Sequence, residues 1–214
     1  MSIEARYEYR TGIGTDIHRL VAGRKLMLGG IYVPHSLGLA GHSDGDVVLH
    51  AVIDAMLGAA GMGDIGTYFP DTNPDFEDAD SKEFLQIIKD KVAEKRWQVV
   101  NVDVVIHAEQ PKLGQLKGQM KRCIAGLLGI DFAVVNVKAK TSEGLGQIGE
   151  GRAAAAKGVR KAVLYRRWYG RPSAGAACRP CFRDKRAAKA LPGRKTAAYV
   201  FRRHVRYYRL FQGE

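Results

Sequence analysis

Apolar residues along this chain recur at two spacings, every second position and every third or fourth, and the switches between them divide it into elements. Residues 11–18 (TGIGTDIH) and 25–33 (KLMLGGIYV) read as strands. The second folds back at its Gly-Gly pair, which suits a tight hairpin turn. Over 41–61 (GHSDGDVVLHAVIDAMLGAAG) the period becomes helical, with Val47, Leu49, Val52, Met56 and Leu57 on the repeat. Ser43 or Asp44 is available as N-cap, and Gly58 and Gly61 lie near the end. Residues 61–80 (GMGDIGTYFPDTNPDFEDAD) are rich in Gly, Pro, Asp and Asn, so they read as one long loop, a length that usually carries function. A second amphipathic helix follows over 81–96, with Phe84, Ile87, Ile88 and Val92 on its apolar face. Residues 97–108 alternate as a strand, 113–128 read as a third helix, and 132–140 (FAVVNVKAK) as a further strand. The run 152–168 (RAAAAKGVRKAVLYRRW) stays open, since alanine favours a helix while a preceding strand offers it a pairing edge.

Composition changes the picture at one end only. Of 34 basic and 22 acidic residues, 14 and two lie in 166–214, which leaves 20 of each in the rest. The formal charge of +12 is therefore a property of the tail. With Pro172, Pro180 and Pro192 in the same stretch, this shift predicts a folded domain over 1–165 and a poorly ordered basic extension over 166–214. Two readings of that extension compete: an arm for nucleic acid or another anionic surface, motivated by Trp168, Tyr199, Tyr207 and Tyr208 among its arginines, and an unselected extension. The second is preferred, because no binding motif accompanies the charge. No apolar stretch has the roughly 18–20 residues a membrane span needs, and the N-terminus lacks a secretory signal, so a cytoplasmic protein is expected. Three cysteines make no disulfide framework, and the Cys178–Cys181 spacing lacks the partners of a zinc site.

Candidate chemistry gathers in two places. On a strand, Asp16 and His18 point the same way and could share an ion if a third ligand arrived. His50, on the polar edge of an otherwise apolar helix, is the best candidate for it. Asp, His and His with one open position make a catalytic rather than a structural zinc set. Just before that helix stand His42, Ser43, Asp44 and Asp46, beside N–H groups suited to a phosphate, or else serving as caps and a first-turn acid. The second cluster is 138–151 (KAKTSEGLGQIGEG), where Thr141, Ser142 and Glu143 could meet a phosphate chain bridged by Mg²⁺, or form an ordinary turn.

Taken together, GIGTDIHRL, LMLGG, GLAGHSDGDVVLHAVIDAMLGAAGMGDIGTYFPDTNPDF, ADS, NVDVVIHAEQPKL and VNVKAKTSEGLG resemble the 2-C-methyl-D-erythritol 2,4-cyclodiphosphate synthases of the non-mevalonate isoprenoid pathway. The resemblance covers most of 10–165. It implies an α+β domain, with a four-stranded mixed sheet packed against helices on one face, forming a homotrimer with active sites between subunits. It makes 152–165 a strand. The implied enzyme is a phosphorus–oxygen lyase. It converts 4-diphosphocytidyl-2-C-methyl-D-erythritol 2-phosphate to the 2,4-cyclodiphosphate by attack of the 2-phosphate on the β-phosphorus, with release of CMP.

Position by position, the resemblance makes Asp16, His18 and His50 ligands of one zinc per active site, and Glu143 the ligand of a Mg²⁺ or Mn²⁺. It casts His42 and Thr141 as transition-state stabilisers. Ser43, Asp64, Ile65, Gly66, Phe69, Pro70, Asp71, Thr72 and Asn73 become substrate contacts. Ala108, Glu109, Gln110, Pro111, Lys112, Leu113, Gly114, Lys140 and Ser142 become the wall that holds the cytidine diphosphate. One departure stands out. Where the family often reads G-F-x-G-R-G-E-G, this chain has Gln147, Glu150 and Arg152, which disturbs a trimer-axis cavity that holds an isoprenoid diphosphate in some relatives. The rival for the whole chain is a binding trimer that kept the fold and lost the chemistry.

Overall fold

The computed structural model describes residues 6–157 and 162–168. The first strand is longer than its sequence signal and is broken: β1 (Arg6–Gly12) and β2 (Thr15–Ala22) flank a gap at Ile13 and Gly14. At the other end of the domain β8 (Ala153–Lys157) and β9 (Ala162–Trp168) form a second broken strand. The two run side by side and antiparallel, Arg6 opposite Trp168 and Gly12 opposite Ala162, then Thr15 opposite Lys157 and Arg19 opposite Ala153. Strand β6 (Gln98–His107) pairs antiparallel with β9 near its start and with β8 at its end. Its other edge pairs in parallel with β7 (Val135–Lys140).

A short strand β5 (Leu37–Leu39) extends the sheet beyond β2, while β3 (Leu26–Leu28) and β4 (Ile31–Val33) form a separate hairpin. The main sheet therefore has seven strand segments in five tracks, one track wider than the four expected. The extra track is β5, whose three residues are too few for alternation to register. The hairpin turns at Gly29 and Gly30 with φ of 62° and 78°, the pair of positive angles that a two-residue turn of this hand requires.

The alanine run settles as a strand. All four alanines of β8 are buried, and β2 and β6 satisfy their backbone groups, a gain that outweighs intrinsic helix preference. Strand β9 also carries the sheet past the boundary expected at 165. The basic extension beyond it, with its cysteine pair, lies outside the described residues.

Helices cover one face. Helix α1 (Val47–Ala60) is buried everywhere except at His50, Asp54 and Gly58, a stripe at i, i+4 and i+8. Between α1 and the next long helix, the expected loop contains a single helical turn, α2 (Ile65–Tyr68), and a 3₁₀ turn at Pro74–Phe76. Helix α3 (Ser81–Glu94) packs on α1, and α4 (Lys117–Leu128), four residues shorter at its start than expected, packs on β7. Val102, Val104, Ile106, Val135, Val137, Ala154 and Ala156 supply the sheet's side of the core. On the opposite face Tyr9 and Ile17 are exposed.

Candidate metal centre

Two glycines place the site. A Cβ on Gly12 would stand 1.9 Å from the carbonyl oxygen of Ala55, and one on Gly14 would stand 2.0 Å from that of Ala51. Only residues without side chains let the break between β1 and β2 lie directly on α1. That contact brings the exposed stripe of α1 beside the start of β2. There Asp16 and His18 share the half-buried face, while Ile17 and Arg19 are exposed.

Asp16 Oδ2 lies 2.9 Å from His50 Nδ1 and 3.0 Å from His18 Nε2. One donor atom from each of the three falls within 4.8 Å of the others, the only such grouping of metal-ligating side chains among the described residues. Burial alone would raise the pKa of Asp16, but the two imidazoles outweigh it and hold the carboxyl well below its usual range. Burial would likewise lower His50, yet the Asp16 carboxylate prevails and its pKa is raised. The buried Nε2 of His18 is close enough to Asp16 for attraction but is too poorly directed to hydrogen bond, so it is left without a partner. An orphaned imidazole nitrogen, a carboxylate held ionised and a second imidazole fit a divalent ion of zinc type, with one coordination position left for a ligand.

These groups open into a cavity of ≈ 560 Å³. Of the residues singled out in the sequence, Asp16, His18, His42, Ser43, His50, Ile65, Gly66, Phe69, Pro70 and Asp71 line it. His42 Nε2 is 2.9 Å from the carbonyl of Asn73, tying the His42 segment to the 61–80 region. Asp64 turns instead to cap α2, accepting from the Thr67 backbone N–H and hydroxyl at 2.9 and 2.8 Å. Thr72 is not among the lining residues. Sequence reasoning passed over Asp54, which lines the cavity and accepts from the Ile65 N–H at 2.8 Å. Its place one helical turn after His50 was the available signal.

The phosphate site suggested at the start of α1 is corrected. Asp46, not Ser43 or Asp44, is the N-cap, and its carboxylate accepts from the N–H groups of Val48 and Leu49. It also takes those of Gly29 and Gly30, at 2.9 and 2.6 Å, so four donors converge on one buried side chain. The N–H groups of Val48 and Leu49 are thereby occupied from within the fold.

The second cluster lies elsewhere. Glu109 accepts from the Ser142 N–H at 3.1 Å, the Ala108 N–H donates to the Lys140 carbonyl at 3.0 Å, and the Thr141 hydroxyl donates to Glu143. None of 108–114 or 140–143 lines the cavity, and Leu113 belongs to the core. Sheet register explains the separation. Ile17 faces Ala155, Ala155 faces His107 and His107 faces Lys140, three strand spacings in all. At about 4.8 Å per spacing that is roughly 14 Å. In the Gly-rich turn, Glu150 and Arg152 form an ion pair with each other.

Comparison with known proteins gives consistent results. A family model described as the YgbB family matches residues 9–162. The chain is similar to the 2-C-methyl-D-erythritol 2,4-cyclodiphosphate synthase of Bordetella petrii, 55% identical over 141 residues, 66% of this chain and 87% of that one. It is also similar to the enzyme of the same name from Treponema denticola, 48% identical over 147 residues, 69% of this chain and 91% of that one. Among solved structures it is similar to the bifunctional IspDF of Campylobacter jejuni, with TM-score 0.70 and 40% identity over 77% of this chain; it spans 43% of that longer protein. A CDP-bound 2C-methyl-D-erythritol-2,4-cyclodiphosphate synthase matches with TM-score 0.65 and 34% identity, over 72% of this chain and 98% of that one.

Proposed function

The chain belongs to the YgbB family, that of the 2-C-methyl-D-erythritol 2,4-cyclodiphosphate synthases, and from that premise we propose that it performs the cyclisation itself. An oxygen of the substrate's 2-phosphate attacks the β-phosphorus of the same molecule. The new P–O bond closes an eight-membered ring, the bond between the β-phosphorus and the bridging oxygen breaks, and CMP departs with that oxygen. The observation that carries this reading is the meeting of Asp16, His18 and His50 in one cavity with His42.

Phosphoryl transfer asks little covalent help of a protein, so the work is alignment and neutralisation of charge. Asp16, His18 and His50 would hold zinc, and Glu143 a Mg²⁺ or Mn²⁺; bound there, such ions supply Lewis-acid polarisation and positive charge. His42 and Thr141 donate hydrogen bonds to phosphate oxygens that gain charge. Ser43, Ile65, Gly66 and Phe69 to Asp71 enclose the methylerythritol part, and 108–112 with Lys140 and Ser142 hold the cytidine.

One chain cannot present both clusters to one diphosphate across roughly 14 Å of sheet. A homotrimer resolves this, with the metal cavity of one subunit facing the Glu143 cluster of its neighbour, and the exposed sheet face around Tyr9 and Ile17 supplies apolar surface for assembly. The test is incubation with the cytidine diphosphate substrate, Zn²⁺ and Mg²⁺, reading CMP and the cyclic diphosphate. Metal-loaded, folded oligomer that releases no CMP would overturn the proposal in favour of a binding protein.

A further inference from the structure

Ser81 is the first residue of α3, fully buried, and its hydroxyl plays no part in capping that helix, a task left to Asp80. A buried hydroxyl that does not cap its own helix must find its partners elsewhere. Its neighbours supply one. His50 Nε2 is 2.9 Å from Ser81 Oγ, and the Ser81 hydroxyl donates to Asp44 Oδ1 at 2.5 Å. Ser43 Oγ stands farther from the same ring nitrogen, at 3.2 Å.

The direction of this chain follows from its last member. The Ser81 hydroxyl gives its single hydrogen to Asp44 Oδ1, which leaves Ser81 Oγ as an acceptor. His50 Nε2 must then carry hydrogen and donate it. The opposite ring nitrogen, Nδ1, is the one that faces Asp16, 2.9 Å away. Asp44 is itself fixed: its backbone N–H donates to the Ala79 carbonyl at 3.0 Å, and its Oδ1 accepts from the Asp46 N–H at 3.1 Å. That arrangement ties the residues before α1 to those before α3, and His50 is clamped between the two helix starts.

We propose that Ser81 and Asp44 are positioning residues for His50, a carboxylate–serine pair that keeps hydrogen on Nε2 and so presents Nδ1 to the metal position. The inference rests on the zinc reading given above and extends it to side chains outside the ligand set. Partners that hold the outer nitrogen of a ligating imidazole typically change metal affinity by roughly 10- to 100-fold when lost. Neither residue lines the cavity, so both act through His50.

The experiment measures zinc affinity by competition with a chromophoric chelator, together with the visible spectrum of the Co²⁺-substituted protein and the ¹⁵N shift of His50 Nε2. Ser81→Ala should weaken zinc roughly 10- to 100-fold and shift the cobalt bands. Ser81→Thr, which keeps the hydroxyl, should restore affinity to within about threefold of wild type. Asp44→Asn, whose amide can donate back to Ser81, should lower the hydrogen occupancy of Nε2. Equal zinc affinity in wild type and Ser81→Ala overturns the proposal, as does an Nε2 without hydrogen in the wild-type protein. If Ser81→Ala fails to fold, Asp44→Asn and the wild-type ¹⁵N shift decide the matter alone. Wild-type protein that binds no zinc, yet keeps hydrogen on Nε2, would count against the proposed function and leave the pair's hold on His50 intact.

Discussion

Gly14 lies so close to α1 that a Cβ there would meet the Ala51 carbonyl oxygen at 2.0 Å and the Ala55 nitrogen at 2.7 Å. Both are helix backbone, which cannot swing aside as a side chain can. Gly14→Ala should therefore push β2 away from the helix, at a cost of about 3 kcal/mol. It should also carry Asp16 and His18 off His50. Denaturant unfolding and zinc competition should fall together; lost stability with unchanged zinc affinity would show that the strand can retreat without disturbing the ligands.

The proposed function gives the two imidazoles at the ends of the 42–50 segment different duties. His50→Ala removes a ligand and should abolish zinc retention through gel filtration. His42→Ala should keep zinc and slow CMP release by roughly 10²- to 10³-fold, the usual effect of deleting one donor to a developing charge. Zinc loss in both variants would mean the roles are assigned wrongly.

Stability of the metal-free protein should depend on pH in two directions. His50 has its pKa raised above 6.5, so its contribution is full below that value and fades as pH rises through the raised one. Asp16 is depressed below 3.8, so its contribution is present above that value and fades as pH falls. The thermal midpoint in EDTA should accordingly peak on the acid side of neutrality. A zinc ion held by His50 would compete with its proton, so the increment it adds should grow as pH rises from 6.5 through the raised value. An increment of equal size at both ends would contradict this.

The proposed sharing of each site between two subunits makes a mixing experiment decisive. Asp16→Ala lacks the metal cavity and Glu143→Ala lacks the second cluster, so each alone should be inactive. Co-refolded in equal amounts, random trimers should regain about one quarter of wild-type activity, since a site works only where an intact cavity meets an intact neighbour. Activity that stays at zero would place both clusters in one subunit's site.

Much of this was readable in the chain. The helix over 47–60, the Gly-Gly hairpin and the paired direction of Asp16 and His18 follow from spacing alone, because each depends on local geometry. What escaped has a non-local cause. β5 is too short to show a period, and the break in the first strand is set by helix residues, Ala51 and Ala55, that lie well downstream in the chain. Asp46 could pass for a first-turn acid until the Gly29–Gly30 turn arrived to share its carboxylate. Ser81 is the plainest case: its sequence position announces a helix start, and only the fold reveals that a histidine 31 residues earlier leans on it.

The pairing of the first strand with the last has a consequence for how the molecule is made. Residues 15–19 find their ladder partners at 153–157, so nearly the whole domain must leave the ribosome before β2 gains that neighbour. Until then Asp16 and His18 sit on a strand with only the three-residue β5 beside it. The fold is thus one of widely separated contacts, expected to close slowly and late. The cavity that gathers Asp16, His18 and His50 would be completed only after translation has passed the alanine run.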